Sequence, residues 1–150
     1  MELVDDPVWS FDSLRAINSQ DRFTHFDYVR VLRQAGKIDS RTLAQWLKSF
    51  VPPLVEHSGR LYLSEQFSAA ELVDVRRRVQ DDSEAQLFMN LVNISDLLAE
   101  EADTQAESIA SLIAQNLNAI IGVRYPSHLD RADTLVEDDE HYVSVVRTGA

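Results

Sequence analysis

The side chains with the most chemistry in this chain are four histidines and the carboxylates beside them. His128-Leu129-Asp130 with Asp133 puts one ring and two carboxylates within six residues, and Asp138-Asp139-Glu140-His141 puts four such groups in a row. Nitrogen and oxygen ligands of this kind hold divalent metals when they converge. A metal-dependent hydrolase using His128, Asp130 and His141 is therefore one function to test. The spacing matches neither the zinc-protease helix motif nor the calcium loop, which needs a glycine at its turn and a distal glutamate. No metal ligand and no cofactor is assigned.

Covalent catalysis has less to work with. Ser58 stands between His57 and Gly59, but chain neighbours seldom reach nucleophile–base geometry, and no nucleophile elbow surrounds it. Ser58-Gly59 reads as a turn. Carboxylate pairs such as Glu100-Glu101 and Asp138-Asp139 read as solvated surface. Four glycines in total leave no glycine-rich phosphate loop, and the absence of cysteine removes thiolate zinc sites, thiol nucleophiles and disulfides. No catalytic residue is assigned, and the expectation is a protein that is not an enzyme.

The elements that would position these residues are mostly helical. Ser10 caps a helix to Asn18 with Phe11, Leu14 and Ile17 on one face. Thr24 with Asp27 opens a second, ended by Gly36. Ser40 opens a third, with Leu43, Trp46, Leu47 and Phe50 inward, and Pro52-Pro53 stops it. Residues 54–63 change period and predict a β-hairpin around Ser58-Gly59. Ser68 with Glu71 opens a helix to about Gln80, and Asp81-Asp82-Ser83 caps the next. Leu87, Leu91, Ile94 and Leu98 predict one helix from Glu84 to about Asp103. Thr104 with Glu107 opens a last helix, carrying Ile109, Leu112, Ile113, Leu117, Ile120 and Ile121 and ended by Gly122. Tyr142-Val143-Ser144-Val145-Val146 has strand composition; it would pair with the 60–63 strand or dock on another molecule.

The predicted fold is mainly α. It is a compact bundle of about six helices in one domain, with a hairpin near 54–63 and a short C-terminal strand. Asp81–Ser83 is the candidate seam, and 126–150 is an irregular acidic tail ending in the strand. Residues 1–7 are acidic and unlike a secretory signal, and no apolar run approaches the roughly 18 residues of a membrane span. The expected location is cytoplasmic.

Charge divides the chain. Residues 1–80 hold eleven Lys/Arg and eleven Asp/Glu, whereas 81–150 hold three and fourteen, so the whole net charge of −11 falls in the second part. Within the first part, residues 22–78 carry ten basic and six acidic side chains. The order helix, glycine turn, helix, hairpin over 24–63 resembles winged-helix domains, though the helix that normally lies between turn and wing is missing. That resemblance implies nucleic-acid binding, with phosphate contacts from Arg30, Arg33, Lys37, Arg41, Lys48 and Arg60. Trp46, Leu47 and Phe50 occupy the helix where base-reading polar residues would be wanted, and they read as core.

The leading expectation is a small acidic module that binds a basic protein surface stoichiometrically, as opposite fields speed encounter. In size and charge it is similar to bacterial immunity proteins, antitoxins, secretion chaperones and phage-encoded inhibitors. Glu137, Asp138, Asp139, Glu140 and Tyr142 are the expected contact residues. The apolar arcs of the helices over 84–121 would also serve a homodimer.

Overall fold

The computed structural model describes residues 7–18, 23–98 and 103–149. Among them are six helices, a two-stranded sheet and a three-stranded sheet. The fold is therefore α+β rather than a purely helical bundle. The chain divides into two compact units, 1–47 and 48–150. The seam expected at Asp81–Ser83 falls inside the second unit.

The first unit holds α1 (Phe11–Ile17), α2 (His25–Gln34) and most of α3 (Ser40–Phe50). Ser10 Oγ accepts from Ser13 N at 3.2 Å and caps α1. The box predicted at α2 is complete: Thr24 Oγ1 accepts from Asp27 N at 3.2 Å, and Thr24 N donates to Asp27 Oδ2 at 2.8 Å. At α3 the cap is Asp39 rather than Ser40, because its carboxylate takes both Thr42 N at 2.8 Å and Thr42 Oγ1 at 2.9 Å. Aromatic contacts join these helices: the Phe11 ring stacks on His25 at 4.2 Å and meets Tyr28 edge-on at 5.6 Å. Leu14 is the one buried hydrophobic residue here among the described residues. Trp46 and Leu47, expected in the core, are exposed, while Phe50 packs against the core of the second unit.

The second unit begins as predicted. Pro52-Pro53 follow α3, and β1 (Leu54–His57) pairs antiparallel with β2 (Arg60–Leu63). Ser58 and Gly59 have φ of 51° and 73°, the two positive values a tight hairpin turn requires. Next come α4 (Ala69–Arg78), capped by Ser68, and α5 (Asp82–Met89), capped by Asp81. Arg76-Arg77-Arg78 close α4 at its negative dipole end.

The single helix predicted over 84–103 does not form. It ends at Met89, β3 (Val92–Asn93) follows, and one 3-10 turn covers Ser95–Leu97. The cause is Asn90, which is fully buried and spends its amide on three backbone groups of other strands. Its Oδ1 accepts from Leu63 N at 2.8 Å, and its Nδ2 donates to Leu61 O at 3.0 Å and Val145 O at 2.7 Å.

Helix α6 (Asp103–Arg124) is 22 residues, about 33 Å long. It starts one residue before Thr104 and runs on through Gly122, the predicted stop, to Arg124. Ala106, Ala110, Ile113, Ala114, Leu117 and Ile121 form its buried stripe, and small alanines let it approach the sheet closely. That sheet is β3–β5–β4, with β4 (Asp130–Glu137) and β5 (Glu140–Arg147) joined as a hairpin. Segment 126–150 is thus not an irregular tail. Two full strands occupy it, and 142–146 pairs with β4 and β3 rather than with 60–63. Ala132, Val143 and Val145 share a core with α6, Leu61, Leu63 and Ile94. Each fully buried leucine or isoleucine here, such as Leu117, stabilises by roughly 1.5–3 kcal/mol.

Candidate partner-binding hairpin

Four of the predicted contact residues fall at one place. Glu137 pairs with Glu140 as the last rung of β4–β5, and Asp138 and Asp139 make the turn between them. Their φ values are 50° and 63°. Aspartate tolerates this region better than most side chains, so the acidic run doubles as a two-residue hairpin turn. Glu137, Asp138 and Asp139 are exposed.

Glu140 and Tyr142 play another part. The Tyr142 hydroxyl donates to Glu140 Oε2 at 2.7 Å, and Asn93 Nδ2 donates to the same oxygen at 2.9 Å. The Asn93 bond ties the base of the turn to β3, and the Tyr142 bond, made within β5, fixes the Glu140 carboxylate that receives it. The hydrogen bond to Glu140 keeps Tyr142 protonated, and desolvation and the charges of Glu140, Glu137 and Asp96 add to it, pushing its pKa up to about 12. Carboxylates from the turn and from the Ser95–Leu97 segment therefore converge here. Asn93 and Asp96 belong to the site although sequence reasoning missed them; they lie more than forty residues away in the chain and looked like helix.

The set that the metal-dependent hydrolase alternative would use, His128, Asp130 and His141, is not brought together. His128 and Asp130 do meet, with Nδ1 3.2 Å from Oδ2, and Glu56 Oε2 stands 3.4 Å from His128 Nε2. Asp130, however, is fully buried and already engaged. Its Oδ2 accepts from Leu61 N at 2.8 Å and its Oδ1 from Arg147 Nε at 3.2 Å. His141 lies on β5 opposite Val136, away from this cluster. Among the described residues no three His, Asp or Glu side chains are arranged to hold a metal ion. Ser58 occupies its turn, while the His57 ring packs 5.0 Å from Phe67. Glu100 and Glu101 lie outside the described residues.

The basic set is divided as well. Arg30 Nη2 is 2.8 Å from Asp27 Oδ1, and Lys37 Nζ sits 4.9 Å over the Trp9 ring. Arg33 and Arg41 are exposed on α2 and α3, and Lys48 is exposed near the end of α3. Arg60 belongs to the second unit and works internally, donating to Gln86 Oε1 at 2.8 Å and Ser83 Oγ at 3.3 Å.

Buried amides close the edges of β2 and β5 that face each other. Gln86 Nε2 donates to Leu61 O at 2.9 Å, and Gln86 Oε1 accepts from Arg147 N at 3.1 Å. Ser95 Oγ accepts from His141 N at 2.9 Å. Arg147 also donates to Gly59 O. Edges of β2 and β5 are thus stitched together by side chains, although the strands belong to separate sheets. A mostly apolar cavity of about 200 Å³ opens nearby, floored by Leu63, Ile94, Ile113, Leu117 and Val143.

No protein family, curated protein or solved structure matches the chain.

Proposed function

We propose that this chain is a stoichiometric binding module, of the inhibitor, immunity or chaperone kind, that docks the β4–β5 turn onto a basic surface of another protein. The observation that carries this reading is the presentation of the acids: Glu137, Asp138 and Asp139 are exposed on a two-residue turn anchored through Glu140. A preformed turn loses little conformational freedom on binding, so electrostatic attraction is not consumed in ordering a loop. Charges at such a rim act mainly on encounter rate and choice of partner.

The experiment is affinity purification with the full chain against a triple variant, Glu137→Gln, Asp138→Asn, Asp139→Asn, at low and high salt. A basic protein recovered by the wild type at low salt, and lost both with the variant and at high salt, is the expected result. Identical recoveries by the two chains would remove the turn from the function.

A further inference from the structure

Strand edges expose N–H and C=O groups that can accept another strand. Around the hairpin these groups are largely spoken for. On β2, Leu61 and Leu63 bond to Asp130, Gln86 and Asn90. On β5, His141, Val143, Val145 and Arg147 bond to the 3-10 segment, β3, Asn90 and Gln86. The outer edge of β1 follows directly on Pro52-Pro53, which cannot donate to a ladder.

The outer edge of β4 changes character halfway along. Its first half is shut: Asn118 Oδ1 accepts from Ala132 N at 2.8 Å and Asn118 Nδ2 donates to Ala132 O at 2.9 Å. Thr134 N turns onto Asp133 Oδ1 at 2.8 Å. Beyond that point the Thr134 carbonyl and both backbone groups of Val136 have no partner among the described residues. The side chains of Thr134 and Val136 are exposed, Val136 at 64%. A short open edge therefore runs into the acidic turn.

We propose that the Thr134–Glu137 edge of β4 accepts an extended, lysine- or arginine-bearing segment of another protein as an added strand. This deepens the function proposed above and rests on it. Charge selects the occupant. A second copy pairing antiparallel through Thr134 and Val136 would set Asp133 opposite Glu137 or Asp139 of the other copy, and directly opposed like charges are unfavourable. A basic strand in the same register sets its cations opposite Asp133 and Glu137. Its alternate residues then bond to the open groups of Thr134 and Val136, the division of labour typical of strand addition.

The probe is an amidated octapeptide alternating lysine and valine, capped at its N-terminus by a neutral fluorophore and titrated against the full chain at low salt. Its control carries an N-methyl group on every valine, which keeps the charge and removes the donors facing the edge. Binding is read by anisotropy, and the edge by hydrogen exchange of the Val136 amide. The expected result is at least tenfold weaker binding of the methylated peptide, with at least tenfold slower exchange at Val136 under the parent peptide alone. Equal binding of both peptides without protection of Val136 would overturn strand addition and leave the acidic-turn reading standing. Binding of neither would overturn both.

Discussion

Replacing Asn90 with alanine tests whether side-chain amides hold the two sheets together. Asn90 is fully buried and makes three hydrogen bonds to backbone, at 2.8, 3.0 and 2.7 Å. Leu61 O keeps a second donor in Gln86 Nε2. Leu63 N and Val145 O have no other side-chain partner among the described residues, so the variant orphans one donor and one acceptor in the interior. Each orphaned group costs about 1–3 kcal/mol, which puts the loss at roughly 2–6 kcal/mol. For a unit of this size that lowers Tm by about 10 °C or more. Asn93→Ala is the comparison, since Asn93 is only half-buried and bonds to the partly exposed Glu140; a loss below about 1 kcal/mol is expected there. Urea unfolding followed by far-UV circular dichroism measures both. Tryptophan fluorescence is the wrong probe, because Trp9 and Trp46 both lie in the first unit. If Asn90→Ala costs no more than Asn93→Ala, the amide stitching does not hold β2 to β5.

Other expectations are direct. Tyr62 is buried with its hydroxyl unpartnered among the described residues; Tyr62→Phe should be neutral or stabilising by up to about 1 kcal/mol in the same assay, and a loss above about 1 kcal/mol would refute an unpartnered hydroxyl. Asp27 and Asp39 are held below their ordinary value of 3.8, chiefly by the backbone N–H groups of Thr24 and Thr42. A depressed folded pKa gives stability that is present above the unfolded value and lost as pH falls through the folded one. Protection of the Thr24 and Thr42 amides should therefore fade below about pH 4, and Asp39→Asn should flatten the response at Thr42. Asp139→Gly relieves a positive φ at the turn and should stabilise the β4–β5 hairpin by roughly 0.5–1 kcal/mol while weakening attraction to a basic partner; thermal melts and partner titration would separate the two effects.

How much of this was legible in the sequence varied with how local the cause was. The Thr24–Asp27 box, the Pro52-Pro53 stop and the Ser58-Gly59 turn are each written within a few residues, and each is present in the structure. The second hairpin was harder to see. Its turn is Asp138-Asp139 rather than a glycine pair, so a dense acidic run read as irregular surface. Strand β4 buries only Asp130 and Ala132 and shows little apolar alternation. The false helix over 84–103 arose because Leu87, Leu91, Ile94 and Leu98 fit a helical period, while the residue that ends the helix, Asn90, takes its partners 27 to 55 residues away. The candidate site divides in the same manner. Glu137–Glu140 are contiguous and were visible, but Asn93, Asp96 and the open half of β4 depend on pairing that only the fold supplies.

The amide stitching also bears on the order of events when the second unit folds. Asn90 joins Leu61 to Val145, groups 84 positions apart in the chain, and it can do so only once both hairpins exist. Each hairpin closes over a two-residue turn and needs no help from the other, whereas contacts this distant carry a larger chain-closure cost and form later. The amide should act as a latch set after the rate-limiting step. Its removal would then leave the refolding rate nearly unchanged and show up almost wholly as faster unfolding, so the lifetime of the native state, more than the ease of reaching it, rests on one asparagine.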